Sequence, residues 1–378
     1  MTDETIITNA RLVLPDGVLH GTLVLRDGMI ADLQPDASFL PGAIDVAGDH
    51  VIPGVIDLHT DNLERQVQPR SNARWPSRSA LIAHDAQCAA AGVTTVFDAL
   101  CVDNLDFDKD RVRTFREGVG DIDVLSEAGA LRVEHFLHLR CEVPADNMLS
   151  LFEPMADHPR LRMVSLMDHT PGFGQYADLD YYRALRRRIG ASDEVIEDRI
   201  VELRGNRARM RVPNRRAVLG RLAGRGIPLA SHDDRTEAEV AENAADGIGV
   251  SEFPVTMAAA RAARAAGMAV IAGAPNIVRG GSHSGNVAVL DLIDAEAVDA
   301  LASDYVPNSL VEAAFLCARR GMALHEAVGM VTAAPARIAG LRDRGRIAPG
   351  LRADLARVRL HGDLAMVRAA WRAGERVA

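Results

Sequence analysis

The sequence contains one lysine, Lys109, and every other cationic side chain is arginine. This scarcity narrows the side chains that can serve as metal ligands. A basic surplus is also missing. With 43 basic against 52 acidic residues, the net charge of -9 excludes the footprint of a nucleic-acid binder. The four cysteines, Cys88, Cys101, Cys141 and Cys317, are scattered without close pairing or zinc-ribbon spacing, so reduced thiols are expected. No apolar segment is long enough to span a bilayer, which argues against a membrane partner. The acidic start Met1-Thr2-Asp3-Glu4 has no basic stretch followed by an apolar one, so a cytoplasmic protein is expected. Internal repeats and low-complexity segments are lacking as well.

The 378 residues suffice for one barrel-sized domain plus a smaller one, and 48% hydrophobic with 25% charged residues is the balance of a soluble globular chain. From Thr5 to Leu33 apolar and polar residues alternate, punctuated by Asp16-Gly17 and Asp27-Gly28, the pattern of antiparallel strands joined by hairpins. A similar texture returns at Gly345–Gly350, Ala353–Leu355 and Met366–Val377. Residues 1–50 and 340–378 are therefore expected to pair into one small β-sandwich domain.

Between them the texture changes. Compact apolar runs (Val51–Leu58, Thr94–Leu100, Val133–Leu139, Met163–Met167, Pro228–Ala230, Val250–Phe253, Ala269–Ala272 and Ala300–Ala302) alternate with amphipathic, alanine-rich segments. Buried parallel strands covered by helices read this way. Eight such units over residues 51–339 predict an α/β fold, a (β/α)₈ barrel with its active site at the carboxyl ends of the strands. A doubly wound open sheet is the alternative, but no Gly-rich phosphate loop follows the first strand. An insertion at about 175–220 stands out, with eleven arginines between Tyr181 and Arg216. Acidic neighbours at helical spacing suggest helices with internal ion pairs, and a basic wall over the active-site mouth is the functional reading.

Several apolar runs end in polar, chemically capable residues. His59-Thr60-Asp61 follows the first, and in an extended segment residues two apart point the same way, so both can face one ion. Glu142, His169, His232 and Asp304 close later runs. Ligand-capable side chains at five strand ends predict a metal centre of His59, Asp61, Glu142, His169, His232 and Asp304. Imidazole with carboxylate suits zinc, manganese, iron or nickel; we expect two divalent ions, zinc foremost. A divalent cation lowers the pKa of bound water toward neutrality, and Asp304 can both ligate metal and accept the nucleophile's proton, as the catalytic residue.

The pattern resembles the amidohydrolase superfamily over essentially the whole chain. The matching stretches are Val51–His59, Thr332-Ala333-Ala334-Pro335-Ala336 and Gly345…Pro349-Gly350…Ala353-Asp354-Leu355. Two departures are evident. The first strand of that superfamily usually ends in H-x-H, whereas Asp61 replaces the second histidine here. A carboxylated lysine bridge is nearly excluded, since Lys109 lies in the polar Asp106–Asp110 loop. Glu142 becomes the candidate bridge, with His135 and His138 as competitors. A closer resemblance is to the PhnM family of phosphonate metabolism, carried by Asp57–Glu64, Ala83–Ala86, Glu134–Glu142, Ser165–Gly172, Ala230–Asp234, Gly273–Asn276, Arg279–Asn286 and Ser303–Tyr305.

That resemblance implies hydrolysis of α-D-ribose 1-methylphosphonate 5-triphosphate to the 5-phosphate with release of diphosphate, by a metal-activated hydroxide. The implied partner is this small polyanionic ribose triphosphate; a homo-oligomer is compatible with it. Arg140, Arg279 and the Gly281-Ser282-His283 loop are then phosphate holders, through side chains and backbone N–H groups. His135, His138 and Asp233 are expected to support the ligands, as are Asn62, Glu64, His84, Asp85, Asp234 and Glu252. The alternatives are an amidohydrolase acting on a C–N bond (a cyclic amidase, deaminase or deacylase) and, more remotely, a barrel without chemistry.

Overall fold

A computed structural model describes residues 4–70, 73–103, 110–282 and 284–378. The chain begins with antiparallel strands Glu4–Leu14, Gly17–Arg26 and Met29–Pro35. Arg26 pairs with Met29 across Asp27 (φ 50°) and Gly28 (φ 80°), a two-residue turn whose left-handed backbone matches the strand twist. His50–Pro53 pairs in parallel with the first strand and antiparallel with Leu355–His361, so it stitches the two ends of the chain together. With Leu364–Arg372 and the short strands Ile44–Asp45 and Glu375–Arg376 they form one curled eight-stranded sheet over a core that includes Ile7, Leu12, Leu23, Ile30, Leu355 and Trp371.

After Gly54 the chain enters a second eight-stranded sheet, whose strand order follows the sequence and whose pairings are all parallel. Its strands are Val55–Thr60, Val93–Cys101, Glu134–Glu142, Leu161–Met167, Leu229–His232, Val250–Glu252, Ala269–Gly273 and Ala300–Ala302. We number them one to eight. The eight apolar runs of the sequence fall on these eight strands. The sheet curls into the expected barrel and is sealed where Thr60 bridges Asp304 in parallel. There the Asp304 N–H donates to the His59 carbonyl at 3.0 Å and the Asp61 N–H to the Asp304 carbonyl at 2.5 Å.

The barrel interior shows why the polar groups collect at one end. Ile56, Leu58, Phe97, Phe136, Met163, Ala230, Val250, Ile271 and Ala300 fill its middle. Two residues further along four strands, where side chains face the same way again, stand His138, Ser165, His232 and Glu252. An apolar layer is thus capped by a polar one toward the carboxyl ends. On the first strand the pairing with the second jumps from Asp57↔Val96 to Thr60↔Asp98. This bulge re-aims the chain, and His59 joins that polar layer.

The insertion consists of helices Leu179–Arg188 and Asp193–Leu222, started by Asp178 and Ser192, whose side chains accept from backbone N–H groups of the first turn. Several of its arginines are spent on neighbours. Arg183 pairs with Asp180 and Glu197, Arg187 with Asp193, Arg211 with Glu242, and Arg215 with Asp246. Among the described residues no helix is long and apolar enough to cross a membrane. All four cysteines are buried and unpaired.

Candidate metal centre

A cavity of about 370 Å³ opens at the carboxyl end of the barrel. His59, Asp61, His169, His232, Asp233 and Asp304 form its floor, and Arg65, Arg279, Ser282 and Ser284 lie along its walls.

The three floor histidines share one arrangement. His59 Nδ1 lies 2.9 Å from Glu252 Oε1, and His232 Nδ1 3.2 Å from Glu252 Oε2. His169 Nδ1 lies 2.7 Å from Glu142 Oε2, while Glu142 Oε1 accepts the His169 backbone N–H at 2.6 Å. In the neutral ring a carboxylate behind Nδ1 draws the proton to that nitrogen, so that Nε2 offers its lone pair to the cavity once its own proton is lost. There each Nε2 meets a further carboxylate: His59 that of Asp61 at 3.5 Å, His169 and His232 that of Asp233 at 3.5 and 3.6 Å.

Of four compact sets of ligand atoms among the described residues, His59–Asp61–Asp304 and His169–His232–Asp233 face the cavity, whereas His59–His232–Glu252 lies behind its floor and His84–Asp98–His135 elsewhere. Asp233 (φ 57°) and Asp304 (φ 56°) both hold a left-handed backbone at a strand end. Such strain persists where the surroundings over-determine it, often at functional sites.

The electrostatics favour a cation. Asp61, Glu142, Asp233, Glu252 and Asp304 converge here, and Arg140 is the arginine among them, its Nη1 2.7 and 2.8 Å from the two oxygens of Asp61. Burial opposes a charged His59, yet Glu252 and Asp61 outweigh it and raise its pKa to about 10. For His169, Glu142 and Asp233 outweigh burial likewise, to about 10. Burial, reinforced by Asp61, pushes the Asp304 carboxyl up to about 7. A site that holds protons so firmly is one that a divalent ion can take over, so the donor set fits imidazole–carboxylate metal binding.

The residues expected from sequence are distributed as follows. His59, Asp61, His169, His232 and Asp304 meet around the floor. Glu142 lies behind His169 with both oxygens engaged, outside the two converging sets. Asp233, expected to support a ligand, is itself part of the floor. His138 donates from Nδ1 to the Leu58 carbonyl at 2.9 Å and contacts Ser165, whose hydroxyl donates to Glu252 at 2.7 Å. Burial pushes its pKa down to about 4.

His135 lies elsewhere, outside the barrel wall in a buried network. Its Nδ1 is 2.7 Å from Asp98, its Nε2 3.3 Å from Asp85, and Asp98 also meets His84 at 2.7 Å. Arg140 is tied to Asp61, whereas Arg279 and Ser282 line the wall with Gly281 (φ 155°) between them. His283 lies outside the described residues. Among the described residues the insertion supplies no arginine to this cavity, but its Arg207, Arg211 and Arg215 line a neighbouring cavity that shares His232 and Asp233.

Glu252, expected among the ligand supports, stands behind His59 and His232, while Arg65, Gln175 and Tyr305, which sequence reasoning did not single out, line the cavity. Glu252 does close an apolar run, as the main candidates do. Arg65 and Tyr305 carry no such signal, and only the fold brings them together, with the guanidinium 5.7 Å above the ring.

Comparison with known proteins adds independent lines. Residues 220–377 match the amidohydrolase family model. Over 376 residues the chain is 41% identical to the alpha-D-ribose 1-methylphosphonate 5-triphosphate diphosphatase of Escherichia coli (strain K12), covering 98% of this chain and 100% of that protein. The fold is similar to N-acetyl-D-glucosamine-6-phosphate deacetylase from Mycobacterium smegmatis (TM-score 0.64, 17% identity, covering 99% of this chain and 100% of that one). It is also similar to 5-methylcytosine deaminase from Klebsiella pneumoniae (TM-score 0.63, 18% identity, covering 99% and 98%).

Proposed function

Because the chain belongs to the amidohydrolase-type family of the alpha-D-ribose 1-methylphosphonate 5-triphosphate diphosphatase, we propose that it hydrolyses that triphosphate to the 5-phosphate and diphosphate, in phosphonate catabolism. The observation that carries this reading beyond resemblance is the pair of converging ligand sets beneath an arginine-bearing cavity.

We assign one divalent ion to His59, Asp61 and Asp304 and a second to His169, His232 and Asp233, with zinc first among the metals that such ligands suit. When bound, the ions supply a lowered pKa for water and neutralise charge on the phosphates. In the reaction a water oxygen bonds to the α-phosphorus as the bond to the β-bridging oxygen breaks, and diphosphate departs with its electron pair. Asp304 stands at the floor to take the proton of the attacking water. Glu252 and Glu142 keep three imidazoles aimed at the cavity. Arg140 holds Asp61 in place instead of gripping phosphate. Two cations of the wall, Arg279 and Arg65, the latter held by the Tyr305 carbonyl and ring, are placed to meet the polyphosphate, where guanidinium geometry matches phosphate oxygens.

The test is release of diphosphate from the ribose triphosphate by protein reconstituted with zinc or manganese, followed by phosphorus NMR, with a hydantoin and a nucleobase as controls. Turnover of the triphosphate alone supports the assignment. Turnover of a C–N substrate without diphosphate release would overturn it.

A further inference from the structure

Among the described residues the long arginine-rich helix Asp193–Leu222 gives no arginine to the wall of the main cavity, but Arg207, Arg211 and Arg215 line a neighbouring one that shares His232 and Asp233, and with Arg204 and Asn214 they reach the strand ends that build one half of the centre. Arg204 Nε donates to the Pro171 carbonyl at 3.0 Å. Arg207 Nε donates to Asp168 Oδ2 at 2.7 Å, and its guanidinium lies 3.5 Å above the Phe173 ring. Arg211 reaches the same Asp168 oxygen at 3.4 Å while bound to Glu242. Asn214, fully buried, donates to the Val143 and Ala145 carbonyls at 2.9 and 2.8 Å. One turn on from Arg211, Arg215 donates to Asn243 at 2.8 Å, and Asn243 donates to Asp234 at 2.8 Å. Asp168 precedes His169, Val143 follows Glu142, and Asp234 follows Asp233.

We infer that this helix is a brace that positions the His169–His232–Asp233 half of the centre and thereby sets its affinity for one of the two ions, independently of the His59–Asp61–Asp304 half. The inference rests on the metal assignment proposed above. Its physical basis is leverage. The loop 168–174 passes through Gly172 (φ 96°) and Gly174 (φ 47°) and has little regular structure of its own. A stacked, bidentate-capable guanidinium fixes such a loop where a flexible ammonium would not. An added Cβ at Gly172 would meet Arg204 Nη2 at 2.4 Å, so loop and helix are fitted to each other closely. Arg207 is thus a positioning residue, touching neither ion nor substrate.

The test is stepwise zinc titration of metal-stripped protein against a chromophoric chelator, repeated with cobalt for its visible absorption. Arg207→Ala should weaken one binding step about 10–100-fold, the range for losing a group that orients a ligand. That step should be the one weakened by Asp233→Asn, while Asp61→Asn weakens the other. Arg207→Lys should restore affinity only in part, and Arg187→Ala, removing an exposed pair on the neighbouring helix, should change neither step. Should Arg207→Ala fail to fold, Asp168→Asn breaks the same pair from the loop side. Equal zinc affinity at both steps in these variants, or parallel loss of both steps with a fallen melting temperature, overturns the brace. A wild-type protein that takes up no divalent ion overturns the brace and the metal assignment together, whereas two ions bound normally by wild type and by both variants overturn the brace alone.

Discussion

Glu252 has two imidazoles on its two oxygens and a serine hydroxyl besides, all in a fully buried pocket. Glu252→Gln keeps the shape but has one accepting oxygen for two ring N–H groups, so one histidine must turn or change tautomer. We expect metal affinity to fall about 10–100-fold at both ions, whereas Glu142→Gln acts through His169 alone. Elemental analysis after dialysis against graded zinc distinguishes the two variants. Asp304→Asn is the companion test. Asparagine tolerates the left-handed backbone that Asp304 adopts, so the fold should persist while turnover drops about 10²–10⁴-fold, the usual weight of a proton acceptor. Near-normal diphosphate release would remove Asp304 from the mechanism. The sequence made His59, Asp61, His169, His232 and Asp304 legible because each ends or follows an apolar run. It could not separate the roles of Glu142, Asp233 and Glu252, since spacing says nothing about which oxygen faces a ring and which faces the cavity.

Among the elements, strands were read more easily than the pieces between them. The fifth to eighth barrel strands are three to five residues long, yet each was visible because burial on both faces leaves a run of small apolar residues. The insertion was legible as helix and as a set of ion pairs. Its contacts with the 168–174 loop were not, for they join residues more than thirty positions apart through side chains that look like any surface arginine. A local signal that can be checked is the cap of helix Glu237–Ala245, directly after the His232–Asp233 strand end. Thr236 accepts from the Glu239 N–H and Glu239 accepts from Thr236 in return. Thr236→Ala should cost about 1 kcal/mol of stability in denaturant titration, with the metal affinity nearly unchanged.

For the molecule as a whole, acid and alkaline limits follow from the buried network beside the barrel wall. Asp98 is held below its ordinary 3.8: burial opposes its charge, but His135 and His84 outweigh it. Asp85 is lowered too, against burial, by His135 and the backbone N–H groups of Val133 and Arg132. Carboxylates depressed on folding add stability above their unfolded pKa, and that stability is lost as the pH falls through the folded value. His135 behaves oppositely. Asp98 and Asp85 overcome burial and raise it from 6.5 to about 9, so its contribution is complete below 6.5 and is lost as the pH rises through 9. The melting temperature of the metal-stripped protein should therefore decline between pH 6.5 and 9, with His59 and His169 adding to the loss over the same range, and His135→Gln should remove part of that decline. Adding zinc at a hundredfold its dissociation constant should raise stability by about 2.7 kcal/mol per site, and chelation should reverse it.

The seam of the barrel has one more consequence. The backbone groups of His59, Asp61 and Asp304 that seal the first strand to the eighth belong to residues that are also proposed as ligands. Closure and chemistry therefore share one clasp, and the Asp61 and Asp304 amides should exchange with deuterium only when the whole barrel opens. Loops over strand ends that carry no proposed ligand can be lengthened, grafted or recombined as separate modules. At the clasp no such exchange is open: replacing a ligand's backbone there unlocks the cylinder itself, so new activities on this scaffold must be written around that point.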